Sequence, residues 1–156
     1  MNLAFYLSAV VAIAATGMVI VQRNAVHALL YLILSLLAVS LVFFTLGAPF
    51  AAALEVITYA GAIMVLFLFV IMLLNLPPED GKLHFSRSWL GPLLLMLLLL
   101  VDLIYLLVNG NQGMMEATIS PSQVGRTLFG PYLLGVELAS ILLLAGLVGA
   151  YHLGRR

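Results

Sequence analysis

Three acidic side chains, Glu55, Asp102 and Glu137, lie inside long apolar runs that contain no Lys or Arg. A charged group at the centre of a bilayer costs about 2.5–3.5 kcal/mol on insertion scales, and less towards the edges. With no cation in the same runs, each acid must be protonated, hydrogen-bonded, hydrated or set against a neighbouring subunit. Two kinds of chemistry fit: plain wetting near an interface, or relay of protons. A second feature is the run Glu55-Val56-Ile57-Thr58-Tyr59-Ala60-Gly61-Ala62-Ile63-Met64-Val65-Leu66-Phe67. Here Ala60, Gly61 and Ala62 follow Tyr59 and precede the bulky Met64, Val65 and Phe67. Gly inside a helix weakens it and permits a local change of hydrogen-bond pattern, such as a π-bulge. The plainer reading is that the small cluster lets another helix approach, with the Tyr59 hydroxyl satisfied across that contact. His27, His84 and His152 lie near run ends or in a loop, without the clustering that a metal site needs.

The elements that position these residues follow from the polar interruptions, which divide the chain into five apolar segments: 3–21, 28–46, 50–76, 89–108 and 132–153. A helix needs about 20 apolar residues to cross about 30 Å of hydrocarbon, and each segment approaches or exceeds that length. Strands of a membrane barrel would be about 10 residues long and alternate in polarity, a pattern missing here. Backbone groups in lipid must satisfy one another, so the segments are predicted to be helices. The third is the longest and exceeds the bilayer at a rise of about 1.5 Å per residue, so it must tilt, distort or project. It is expected to close at Asn75 and the Pro77-Pro78 pair. The first segment lacks a positive n-region and is too long for a signal-peptide core, so it is expected to be retained.

Composition agrees with this class. The chain has 156 residues, 65% hydrophobic and 8% charged, against about 45–50% and about 25% in soluble domains. Six Lys/Arg balance six Asp/Glu, so there is no basic field for nucleic acid. Cys is absent, which excludes disulfides and thiolate sites. Orientation follows the placement of Lys and Arg in short loops. A periplasmic N-terminus puts Arg23, Lys82, Arg87, Arg155 and Arg156 inside and only Arg126 outside, with the C-terminus cytoplasmic. In that frame Glu55 and Glu137 sit about 7–8 Å, and Asp102 about 9 Å, in from the outer ends of their helices. The expectation is an all-α polytopic membrane protein, one membrane domain over 1–156. The loop around Glu79, Asp80, Lys82 and Arg87 is expected to be solvated. The stretch Ser120-Pro121-Ser122 with Gly125-Arg126 reads as an outer surface loop. Gly135/Ala139, Ala145/Gly149 and Gly146/Ala150 are small-xxx-small pairs suited to close helix contacts.

The third-segment run resembles the third helix of the subunit J family of bacterial NADH-quinone oxidoreductase (respiratory complex I), whose mitochondrial counterpart is NADH dehydrogenase subunit 6. The likeness extends to Val26-His27-Ala28-Leu29-Leu30-Tyr31-Leu32, to Leu128-Phe129-Gly130-Pro131-Tyr132, and through Val136-Glu137-Leu138-Ala139-Ser140 to Leu142-Leu143-Leu144-Ala145-Gly146. Asp102 matches no motif of the family. The resemblance implies a membrane-arm subunit of the bacterial inner membrane that carries no redox centre. The complex uses NADH, FMN, iron–sulfur clusters and a quinone, none of them bound by this chain. Implied partners are the other membrane-arm subunits, especially H, K, A and N, together with membrane lipid. The resemblance further implies a π-bulge near Tyr59–Gly61 that rotates the third helix and gates a water and proton link towards the pumping subunits. Met64, Val65 and Phe67 would be the moving plug, with Glu55 and Glu137 candidates for the proton path and Asp102 a weaker one. The alternative from another class is a small transporter or a cation/proton antiporter subunit using the three acids as an ion path. The lack of an inverted repeat weighs against it.

Overall fold

A computed structural model of the chain describes residues 3–74, 89–109 and 118–155. The helices are α1 (Leu3–Val21), α2 (Ala25–Thr45), α3 (Pro49–Glu55), a π-helical segment (Val56–Ile63), α4 (Met64–Leu73), α5 (Leu90–Asn109), α6 (Pro121–Leu128) and α7 (Leu133–Gly154). The chain is all-helical, with no strand among the described residues. Five spans are long and apolar enough to cross a membrane: Leu3–Val21, Ala25–Thr45, Pro49–Leu73, Leu90–Val108 and Leu133–Gly154. The third joins α3, the π segment and α4 without a break. The loop of Glu79, Asp80, Lys82 and Arg87, His84, and the expected helix end at Asn75–Pro78 lie outside the described residues.

Helix boundaries follow local chemistry. The second helix starts at Ala25 rather than 28 because Asn24 caps it: its side-chain oxygen accepts from the Val26 N–H at 3.0 Å and the His27 N–H at 3.4 Å. It ends on Gly47, whose φ of 79° is the left-handed conformation that glycine adopts without a Cβ clash. The Gly47 N–H donates to the Phe44 carbonyl at 3.1 Å and the Ala48 N–H to the Phe43 carbonyl at 3.0 Å, the two bonds of a Schellman cap. Pro49 then opens the third helix at a position where no N–H is required.

The chain forms two compact units, Met1–Thr118 and Ile119–Arg156. In the first, the buried centre is built from Val11, Ala12 and Ala15 of α1, Leu34 and Ala38 of α2, and Leu99 of α5. Lipid tails are as apolar as these side chains, so helix cohesion here comes from close packing and interhelical hydrogen bonds. The alanines allow the first. For the second, Thr16 and Ser35 hydroxyls lie 2.7 Å apart and the Ser35 hydroxyl donates to the Ala12 carbonyl at 3.3 Å, joining α1 to α2. Helix three lies along α2, and α5 lies against both α1 and α2.

The second unit contains α6 and α7. The stretch read as a loop is helical over Pro121–Leu128 because Ser120 and Gln123 form a capping box. The Gln123 N–H donates to the Ser120 hydroxyl at 3.3 Å, and the Ser120 N–H to the Gln123 side-chain oxygen at 2.9 Å. No residue of α7 is buried within the chain. A Cβ at Gly135, Gly146 or Gly149 would meet nothing among the described residues, so the small-xxx-small pairs make no close contact there.

The contact of α5 with α2 is set by Gly91. A Cβ there would lie 2.0 Å from the Tyr31 hydroxyl oxygen and 3.3 Å from its Cζ, and Tyr31 is buried. Gly91→Ala is therefore expected to destabilise the chain by about 1–3 kcal/mol, the usual cost of overpacking. Adding Tyr31→Phe removes the worst clash and should recover part of the loss. The yield of folded chain from solubilised membranes checks both.

Candidate functional site: the third helix and its clamps

The third helix carries its own cause of irregularity. Val56, Ile57 and Thr58 are three consecutive β-branched residues, which lose rotamer freedom in an α-helix. Gly61 lowers helix propensity further. The outcome is an eight-residue π-helix, Val56–Ile63. At its start the Val56 N–H is shared between the carbonyls of Ala52 and Ala53. At its end the Met64 N–H reaches the carbonyls of Tyr59 and Gly61. A π-helix is rare and energetically poorer than an α-helix, and its short occurrences collect at functional sites.

Gly61 lies close to the backbone of its own helix. A Cβ on it would stand 3.2 Å from the Val56 carbonyl oxygen, five residues back, and would meet nothing else among the described residues. The close approach is therefore to the chain's own backbone. No neighbouring helix of the described unit presses on Gly61, so a small-residue contact is not its part in this unit.

The site residues expected from sequence fall into two groups. Tyr59, Ala60, Gly61 and Ala62 lie within the π segment, where no residue is buried; Tyr59 is 47% exposed. Met64, Val65 and Phe67 open α4. Met64 is its one buried side chain at 5% exposure, while Val65 and Phe67 are 50% and 48% exposed. Glu55, the last residue of α3, is half-buried directly before the π segment. The bulky trio thus presents different faces, one side chain packed and two outward.

The other acids lie on other helices. Glu137 is an exposed residue of α7, in the second unit; the Ser140 hydroxyl donates to its backbone carbonyl at 2.8 Å. Asp102 is 3% exposed on α5, and the buried Ser8 hydroxyl of α1 donates to its Oδ2 at 2.5 Å. It is enclosed between helices rather than wetted at an edge. No cluster of three or more His, Asp or Glu able to hold a metal occurs among the described residues. The His27 ring meets Trp89 edge to face at 5.5 Å, with both ring nitrogens buried and without a hydrogen-bond partner. His152 lies in the last turn of α7.

An apolar groove of about 540 Å³ runs beside helix three, with Ala52, Ala53 and Val56 on one side and Met96, Leu99 and Leu103 on the other. Helix three is thus held by α2, not by α5. The hydrogen bond across that contact runs from the Ser40 hydroxyl of α2 to the Ala52 carbonyl, at 3.0 Å.

Residues 15–153 match the family of NADH-ubiquinone/plastoquinone oxidoreductase chain 6. The chain is 56% identical to the NADH-quinone oxidoreductase subunit J of Pseudomonas aeruginosa strain PAO1, covering 100% of this chain and 98% of that one. It is 55% identical to subunit J of Escherichia coli K12 over 99% of this chain and 87% of that one. Subunit J of Buchnera aphidicola from Acyrthosiphon pisum is 46% identical over 99% and 94% of the two chains. The chain belongs to this family. As a member of the subunit J family it combines five apolar spans with a π segment in the third, and that segment, Val56–Ile63, includes the Tyr59–Gly61 stretch where the resemblance implied a π-bulge.

Sequence reasoning missed Ser8, Ser40, Thr16 and Ser35, the hydroxyls that join the helices of this family member. A signal was available in α1, where Ser8, Ala12 and Thr16 repeat every four residues and so share one face. Their partners on other helices carry no such mark. Ser8→Ala leaves a buried carboxyl without this donor and is expected to cost about 1–3 kcal/mol. Replacing both partners, Ser8→Ala with Asp102→Leu, should restore most of that, because no buried polar group is then orphaned. Thermal unfolding of the purified assembly containing each variant measures the difference.

Proposed function

We propose that the chain is a non-redox membrane-arm subunit of a proton-translocating NADH:quinone oxidoreductase, and that its third helix gates a water and proton link between the quinone region and the pumping subunits. The observation that carries the gating is the π segment Val56–Ile63, placed between two α-helical arms of one span. The full-length likeness to subunit J supports membership of the complex.

The physical basis is slack. A π segment holds more residues per hydrogen-bonded turn than an α-helix, and a change of register by one residue turns the helix beyond it by about 100°. Such a turn would carry Met64 out of its packed position and bring Val65 or Phe67 round in its place. An apolar constriction of this kind controls passage by wetting and drying, without any charge of its own. Glu55, next to the segment, and Glu137 on α7 are then the candidate proton-exchanging groups. Asp102, enclosed against Ser8, acts in this reading as a tie between α5 and α1.

This role asks no redox chemistry of the chain. In this reading NADH, FMN and the iron–sulfur clusters are held by other subunits, and the quinone reacts beyond this chain. The nearest partners are subunits H and K, with A and N in the same arm, in an inner membrane with the N-terminus periplasmic.

Gly61→Val tests the gate. The added branched side chain crowds the Val56 carbonyl in the π register, and valine exceeds glycine in α-helix propensity by about 0.3–0.5 kcal/mol. Quinone-coupled NADH oxidation and proton pumping should fall about two-fold or more on that scale, while NADH oxidation by an artificial acceptor persists. Tyr59→Phe should lose less. Unchanged coupled turnover in Gly61→Val would remove the gate while leaving the subunit assignment in place.

A further inference from the structure

A register change needs one fixed end, or the slack simply diffuses along the helix. Ser40 stands where such a fixed point is required. It is buried at 6% exposure on α2, and its hydroxyl donates to the Ala52 carbonyl at 3.0 Å. That carbonyl also accepts the Val56 N–H in an i→i−4 bond, so it belongs to the last α-type turn before the π segment. A carbonyl has two acceptor sites. Here one serves the helix and the other is taken by a neighbouring helix, which fixes the orientation of the Ala52 peptide group.

The two arms of the span differ sharply in how they are held. The N-terminal arm, Pro49–Glu55, has buried Ala52 tied to α2. The π segment has no buried residue, and the C-terminal arm, Met64–Leu73, has only Met64. On its other side the N-terminal arm faces the apolar groove rather than α5, so packing from that direction does not set its rotation.

We propose that Ser40 is a positioning residue: its hydrogen bond to the Ala52 carbonyl pins the N-terminal boundary of the π segment at Val56. For its functional consequence this rests on the register change proposed above, since a pinned boundary directs the whole turn into Met64–Leu73. Without the pin nothing from α2 holds this last α-type turn in place, and the segment can shift along the helix or close into an α-helix.

The test uses a pair of nearly isosteric substitutions, Ser40→Thr and Ser40→Val, in the assembled complex. Ser40 lines the groove, which gives an added methyl somewhere to go, and the pair differs in the hydroxyl alone. The readouts are the boundary of the π segment by electron microscopy and the ratio of quinone-coupled to artificial-acceptor NADH oxidation. Ser40→Thr should keep the boundary at Val56 and the wild-type ratio. Ser40→Val should displace or abolish the segment and lower the ratio about two- to ten-fold, the range that one net hydrogen bond commands. A boundary still at Val56 in Ser40→Val overturns the pin, whatever the turnover. A displaced boundary with an unchanged ratio supports the pin and removes the gating reading instead.

Discussion

Inside a bilayer every backbone N–H and C=O must find a partner in the protein, because lipid offers none. This constraint governs the whole chain. It makes the spans helical, and it decides what kind of irregularity a span can tolerate. A break or loop in the middle of helix three would orphan several polar groups at a cost of several kcal/mol each. A π segment costs far less: each N–H changes its partner, and the return from i→i−5 to i→i−4 bonding passes over a single carbonyl. At the C-terminal end the Met64 N–H reaches both Tyr59, five residues back, and Gly61, which shows how the change of register is absorbed there. A span that must be able to rearrange without exposing polar backbone has few options, and this is one of them.

The same constraint explains the hydroxyl-bearing residues. In water, side chains of the core would be driven together by the hydrophobic effect; between helices in lipid that drive is absent. What remains is shape and hydrogen bonding. The chain places Ser and Thr hydroxyls where a helix can be tied to the next: Ser8 to Asp102, Thr16 to Ser35, and Ser40 to Ala52. The first two join α1, α2 and α5 into a frame whose centre is filled by alanines and leucines. The third ties helix three to that frame at one end.

What could be read from the sequence divides along the same line. Helical spans are a property of local composition, and all five are legible from hydropathy and interruption alone. The weak point at Gly61 is legible too, since a glycine after a β-branched run has a local meaning. The length of the π segment is not, because no residue at Val56 or Ile63 marks its ends as a cap would. The cap at Asn24 and the Ser120–Gln123 box are local signals; the second belonged to a stretch that reads as loop only when its proline and serines are weighed without the glutamine that follows. Asp102 shows the limit most clearly. An acid in an apolar run has several possible fates, and only the fold reveals that Ser8, 94 positions away, encloses it. Gly91 is similar: nothing near it in sequence shows that the Tyr31 ring occupies the place of its missing side chain.

Burial within the first unit is therefore distributed unevenly for a physical reason. Elements that move are drawn from the weakly held part of a structure, because a strongly packed one would oppose the motion with its full contact energy. α1, α2 and α5 carry the enclosed side chains and the polar ties. Beyond Ala52, helix three keeps only Met64 buried, while Val65, Leu66 and Phe67 stand exposed. Those exposed side chains gain no packing from the described residues of the first unit, so the energy that holds α4 in one rotation is supplied largely from outside that unit. A change in those surroundings can then bias the helix, and the frame need not deform. In the proposed gate, a π segment joined to a tied arm on one side and a loosely held arm on the other would convert that bias into rotation of the loose arm, where a uniformly packed span would only store strain.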